Sequence, residues 1–180
     1  MRKDQATTPR VSLLMVVSTN GIAAQKEIQN SFEWNSPEDR EQFLAKINSV
    51  GTVLMGSNTY RSIGQKPYPG INFYVMTRQP ERYTAHEQVR FVQGDVGQIL
   101  QEMALAGIEH VALLGGPKIS TQCFANQLVD DIYLTIEPLM MPSGMHIVAD
   151  LPKPVKVQLE SVRPLNQRNT LLLHYRVLHE

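Results

Sequence analysis

"HVALLGGPK", residues 110–118, decides how the rest of the chain is read. An apolar run enters two glycines, and a proline follows at once. Such a run suits a strand buried on both faces. Pro117 suits the first turn of a helix, where a missing N–H costs nothing. Strand, tight glycine turn and helix make one β-α unit. Repeated units of this kind build a mostly parallel sheet covered by helices on both faces.

The same pattern recurs outward from this stretch. Strands are expected at "VSLLMVVST" (11–19), "TVLMG" (52–56), "NFYVMT" (72–77), "VRFVQ" (89–93), 110–116 and "DIYLTIEPL" (131–139). Helices are expected at 37–50, where Phe43, Leu44, Ile47 and Val50 share a stripe, and at 57–63, 95–107 and 117–127. "VKVQLESVRP" (155–164) and "NTLLLHYRVL" (169–178) alternate apolar and polar residues, as an antiparallel hairpin does. The expectation is an α/β fold of three layers, α/β/α. Its sheet has eight strands, is mixed but mostly parallel, and closes in that hairpin. Residues 1–10 read as a flexible tail and 11–180 as one domain. "NGIAAQKEIQNSFEWN" (20–35) reads as a long loop, the kind that forms lids and binding loops.

The 180 residues carry 17 basic and 17 acidic side chains, so no charged field draws the chain to nucleic acid or to an anionic membrane. A small-molecule substrate is the expected partner. No apolar run is long enough to cross a bilayer, and no apolar segment follows the two basic residues at the start. One cysteine, Cys123, excludes an internal disulfide and a multi-cysteine metal site. The five histidines show no ligand spacing, so no metal is expected. A cytoplasmic location is the expectation from these features.

In open α/β sheets ligands lie at the carboxyl ends of strands. Four features sit there or beside it. Gly115 and Gly116 before Pro117 would let a phosphate approach the backbone at a helix start. Gly56, Ser57 and Thr59 form a second such turn, which also fits plain helix capping by Ser57. Thr77 and Arg78 could grip a terminal phosphate, or simply be a solvated strand end. The last is "EWNSPEDREQF", 33–43, where Ser36 and Pro37 start a helix. Asp39 in that first turn has a capping explanation. It also shares a face with Phe43 and Ile47, and apolar surroundings raise a carboxyl pKa and suit a proton donor.

Taken together, "SLLMVVSTNGIA", "EWNSPEDREQF", "VLMGSNTYRSIG", "PGINFYVMTRQP", "LLGGPKI", "IYLTIEP" and "LLLHYRV" resemble the dihydrofolate reductase superfamily over nearly the whole chain. "SPEDREQF", "IEPLMMPSG" and "TLLLHYRV" look most like the reductase domain of bacterial riboflavin biosynthesis, the RibD C-terminal type. The resemblance implies the dihydrofolate reductase-like fold and an NADPH-dependent reductase that passes hydride to a pyrimidine- or pteridine-like ring. The closest activity would be reduction of 5-amino-6-(5-phosphoribosylamino)uracil. A dihydrofolate or pterin reductase, or a non-catalytic NADP-binding protein, are the alternatives. The resemblance also suggests a homodimer without the fused deaminase of that pathway.

By the same resemblance Asp39 anchors and protonates the substrate ring, Thr135 supports it, and Trp34 orders the site. Phe43 and Ile63 would wall the substrate. Ile22 and Ala23 would sit by the nicotinamide. Gly56, Ser57 and Thr59 would meet the pyrophosphate, and Thr77 and Arg78 the 2′-phosphate. Gly115 and Gly116, joined by a cis peptide in this family, would face the cofactor with Pro117, Lys118 and Ile119. Two positions depart from the folate enzymes. Ser57 replaces a basic phosphate ligand, and Ile71 replaces the arginine that clamps the glutamate carboxylate of folate.

Overall fold

The computed structural model describes residues 8–26, 28–84 and 86–179. Strand β1 (Arg10–Ser18) is followed by α1 (Pro37–Val50), β2 (Thr52–Gly56) and α2 (Ser57–Ser62). Then come β3 (Asn72–Met76), β4 (Val89–Val92), α3 (Val96–Leu105), β5 (His110–Leu113) and α4 (Pro117–Ala125). The chain closes with β6 (Asp131–Glu137), β7 (Val157–Pro164) and β8 (Leu171–Val177). One eight-stranded sheet runs in the order β4-β3-β2-β5-β1-β6-β8-β7. Every pair from β4 to β6 is parallel, whereas β8 is antiparallel to both its neighbours. This is the mixed, mostly parallel sheet ending in an antiparallel hairpin that the alternation of segments predicts.

Two apolar clusters fill the spaces above and below the sheet. Ile47 of α1 and Tyr60 of α2 pack with Val53, Met55, Phe73 and Val75 on one face. Ile99, Leu100 and Met103 of α3 and Cys123 and Phe124 of α4 pack with Val11, Leu13, Leu54 and Val111 on the other. Neighbouring strand residues point to opposite faces. Val53 and Leu54 therefore feed different clusters, and both are fully buried. The Cys123 thiol is pushed up to about 12 by burial, so it acts as a core residue.

Local chemistry fixes the element ends. The Ser36 hydroxyl accepts from the Asp39 N–H at 3.3 Å and caps α1, with Pro37 at its first position. Gly51 ends α1 at φ 75° and returns its N–H to Ile47.

Some boundaries differ from expectation. The tail was expected to reach residue 10, but Pro9 is buried and Arg10 begins β1. The reason is the Arg10 side chain, which donates to both oxygens of buried Asp131, at 2.6 and 2.9 Å. The tail expectation for residues 1–7 lies outside the described residues. Strand β5 stops at Leu113 rather than 116, although Leu114 still donates to Leu54 at 2.9 Å and the Gly115 carbonyl accepts from Gly56. The 20–35 segment is not all loop. Ser31–Glu33 form a 3-10 turn, and Ala24 bridges to Met145. Among the described residues no helix is long and apolar enough to cross a membrane.

Candidate active site

A single continuous cleft of about 1810 Å³ runs along the carboxyl ends of the parallel strands and past the start of α1. Ordinary ligand pockets hold about 300–1,000 Å³, so this one has room for a dinucleotide and a second molecule.

Asp39 lies on its wall, 5 % exposed. The capped first turn of α1 aims it there. Asn35 donates to Asp39 Oδ2 at 2.6 Å, and the Thr135 hydroxyl also donates to the carboxylate. Burial pushes the Asp39 carboxyl above the usual range. The Thr135 and Asn35 hydrogen bonds pull it back in part, and the nearby charge of Glu137 pushes it further up. Phe43, one turn on, lines the cleft and meets Phe32 edge-on, with ring centroids 5.8 Å apart. Ile63 lines it from the end of α2.

The other end of the cleft is built from strand-to-helix turns. Gly56 and Gly116 stand at the N-caps of α2 and α4 without any side-chain cap. Their leading N–H groups are thus available to an anion. The Gly56 N–H donates to the Gly115 carbonyl at 2.9 Å, which ties the two turns together. A Cβ on Gly56 would meet Ile119 Cδ1 at 3.1 Å, a tight contact that the isoleucine side chain would have to yield to. The Gly115–Gly116 peptide is cis. Gly56, Ser57, Thr59, Thr77, Arg78, Gly116, Pro117, Lys118 and Ile119 all line the cleft. A cradle of two glycine turns with uncapped helix starts, followed by hydroxyls and cations, fits a phosphorylated dinucleotide such as NADPH.

Three expected site residues do not line the cleft. Trp34 is set back from it, and its indole N–H is buried with no hydrogen-bond partner among the described residues. The next residue, Asn35, reaches Asp39 in its place. Ile22 is buried beneath its own loop, while Ala23 lines the cleft. Gly115 is covered and contributes its carbonyl to the turn.

Several lining residues carried no signal in the sequence. Asn35 is itself held by Arg40, whose Nε donates to Asn35 Oδ1 at 2.9 Å. Arg61 and Arg82 add cations to the lining. His174, set aside for want of ligand spacing, lines the cleft with Lys46, Tyr133 and Arg163. Long-range pairing of β6, β7 and β8 assembles that group, and no local motif announces it. Among the described residues no group of three or more His, Cys, Asp or Glu is placed to hold a metal ion.

The family model for dihydrofolate reductase matches residues 10–141. The dihydrofolate reductase of Neisseria gonorrhoeae is 32% identical over 59% of this chain and 60% of its own length. The Enterococcus faecalis dihydrofolate reductase, solved with NADP(H), superposes with a TM-score of 0.73 at 18% identity, covering 94% of this chain and 97% of that one. A Thermotoga maritima diaminohydroxyphosphoribosylaminopyrimidine deaminase/5-amino-6-(5-phosphoribosylamino)uracil reductase superposes at 0.76 and 16% identity, covering 95% of this chain and 57% of that one.

Proposed function

Because the chain belongs to the dihydrofolate reductase family, we propose that it is an NADPH-dependent oxidoreductase acting on a pyrimidine-like ring. The substrate of this reading is 5-amino-6-(5-phosphoribosylamino)uracil or a close relative. One observation carries it. A buried carboxyl, Asp39, with its pKa raised, stands on the same cleft as two uncapped helix starts built to receive phosphates.

When bound, NADPH supplies the hydride. In this reading Thr77 and Arg78 hold its 2′-phosphate, and the turns at Gly56 and Gly116 hold the pyrophosphate with Ser57, Thr59 and Lys118. Ala23 and the 20–35 loop exclude water from the reacting end, which strengthens every charge interaction there. Asp39 orients the pyrimidine ring by hydrogen bonds and supplies the proton that balances hydride addition at the glycosylamine carbon C1′ as its bond to the sugar ring oxygen opens. Its raised pKa keeps it protonated at higher pH than an exposed aspartate. Thr135 and Asn35 fix the carboxyl in one orientation, and Phe43 and Ile63 form the apolar wall against the ring. The homodimer belongs to the same reading, and a monomeric mass by light scattering would remove it.

Ile71 weighs against the folate alternative. It is 1% exposed in the core, so that position offers no cation to a glutamate carboxylate. The discriminating experiment follows NADPH oxidation at 340 nm with the ribosylaminopyrimidine phosphate and with dihydrofolate. Turnover of the first supports the proposal. Turnover of dihydrofolate alone moves the protein to the folate reductases, and cofactor binding without turnover leaves a non-catalytic NADP-binding protein.

A further inference from the structure

Arg40 follows Asp39 on α1, yet its guanidinium turns back over the entry to the helix. Its Nε donates to Asn35 Oδ1 at 2.9 Å, and its Nη2 donates to the Asn35 carbonyl at 3.1 Å. Nη2 also donates to the Phe32 carbonyl, and the guanidinium carbon lies 5.5 Å from the centre of the Phe32 ring. One side chain thus grips the Ser31–Glu33 turn, its exit, and the side-chain oxygen of Asn35. The other end of that amide, Asn35 Nδ2, donates to Asp39 Oδ2 at 2.6 Å. Asn35 is buried, and both ends of its amide are spent on these two partners.

An amide can turn over with almost no change in shape, because its two ends differ only in their hydrogens. Here the neighbours decide which end goes where. A guanidinium carries donors and no acceptor, so the Arg40 side receives only the amide oxygen. The nitrogen is thereby forced toward Asp39, where it can only donate. An ionised Asp39 accepts through either oxygen. A neutral Asp39 must place its proton on one of them, and a proton on Oδ2 would confront the Asn35 N–H. The Thr135 hydroxyl, the other partner of this carboxyl, can donate and accept, so it suits either placement. The choice falls to Asn35, and behind it to Arg40. The charged groups that bear on the carboxyl are Arg40 itself and Glu137 of β6, whose oxygens are held by the Ser36 N–H and the Thr170 hydroxyl.

We propose that Arg40 is a positioning residue that acts through Asn35: it locks the amide so that Asp39 Oδ2 stays an acceptor and the acid carries its proton on Oδ1, the oxygen left for the substrate. The role rests on the reading of Asp39 as the proton donor. Released from Arg40, the amide can turn and offer its oxygen to the protonated carboxyl. That stabilises the neutral acid and draws its proton away from the substrate.

The test is the titration of the Asp39 carboxyl, followed by carbon NMR in protein carrying labelled aspartate, with Asp39→Asn to assign the signal. Arg40→Lys keeps the charge and loses the planar fork. It is set beside Asn35→Ala and the double variant in a cycle. The midpoint is expected to move up in Arg40→Lys and to show no further rise when Asn35 is already alanine. An unmoved midpoint, or an equal rise with and without Asn35, overturns the proposal. Arg40→Met gives a second cycle if Arg40→Lys does not fold, and a shift that fails to shrink without Asn35 has the same force. In the parent protein the Asn35 side-chain N–H signals should follow the Asp39 titration, and signals that ignore it contradict the locked amide.

These measurements need no turnover. If Asp39→Asn keeps its kcat, the proton-donor reading is lost, and the coupling of Arg40 to Asp39 is judged by the titration alone. If Asp39→Asn loses activity, Arg40→Lys should lower kcat about tenfold or more and leave KM within about twofold. The decline of kcat/KM should then move to higher pH. Parent values of kcat and an unshifted pH profile would remove Arg40 from the chemistry.

Discussion

The Ser36 N–H donates to Glu137 Oε1 at 2.7 Å, joining the start of α1 to the end of β6. The second oxygen of Glu137 accepts from the Thr170 hydroxyl at 2.8 Å, so this buried carboxylate also ties in the β7–β8 turn. The helix cap that aims Asp39 therefore carries a negative charge behind it, and that charge lifts the Asp39 pKa. In Glu137→Gln that added push is gone while burial remains, so the Asp39 pKa falls part of the way toward its ordinary value. Activity that needs protonated Asp39 declines as pH rises through that pKa, so the decline moves to lower pH. The profile of kcat/KM against pH checks this, and an unshifted profile with a uniform loss would mean Glu137 is only scaffolding.

Asp39→Asn separates chemistry from stability. General acid catalysis is worth about 10²–10⁴-fold, so kcat falls by at least about a hundredfold. Stability moves the other way. The folded Asp39 pKa lies above its ordinary value of 3.8, so the native state binds the proton more tightly than the unfolded chain. Stability from this group is then intact below that ordinary value and declines as pH rises through the window up to the raised one. Removing the ionisable group should raise Tm at neutral pH. The gain should vanish near the bottom of that window. A neutral-pH Tm that falls by several degrees, with turnover intact, would leave Asp39 a helix cap and nothing more.

Arg78 predicts cofactor preference. It is exposed at the end of β3 and lines the cleft beside Thr77, whose N–H is fixed by Val92 at 2.9 Å. A charge-assisted contact to a 2′-phosphate is lost in Arg78→Gln. The Kd for NADPH should rise about tenfold, some 1.4 kcal/mol, with that for NADH unchanged. Thermal shifts of equal size from the two cofactors in the parent protein would contradict a 2′-phosphate site.

Gly144 controls the loop over the reacting end. The Ala23 N–H donates to Met145 at 2.8 Å, and the Met145 N–H donates to Ala24 at 2.7 Å. A Cβ at Gly144 would fall 2.3 Å from the Ala24 carbonyl oxygen and 2.5 Å from Ile22 Cγ2, at φ +156°. Gly144→Ala should push the 20–26 segment away and cost about 1–3 kcal/mol. Cofactor KM should rise while far-UV circular dichroism stays native. An unchanged KM would show that this loop does not close the site.

Much of the fold was legible because its signals are local. Ser36, Pro37 and Gly51 bound α1 by capping chemistry, and the β2 and β5 glycines announce helices that begin within a few residues. The lining of the candidate cleft was legible where it sits on those same turns: Asp39, Gly56, Ser57, Thr77, Arg78 and Gly116. What escaped depends on pairing across the chain. Glu137 reads as an ordinary strand acid until Ser36 and Thr170 are brought to it. His174 and Arg163 join the cleft only through the antiparallel register of β8 with β6 and β7. Trp34 went the other way. The resemblance had it order the site, yet it does not line the cleft, and its neighbour Asn35 meets Asp39.

Strand β1 lies between β5 and β6, and both partners are made about a hundred residues later. At roughly 5–20 residues per second, the ribosome leaves this apolar strand without a partner for about 5–20 s. Its closure is also a long-range event, which slows folding relative to local pairing. The segment RVSLLMVVS is therefore the part of the newborn chain most exposed to association with other chains, and the natural site for a chaperone to hold.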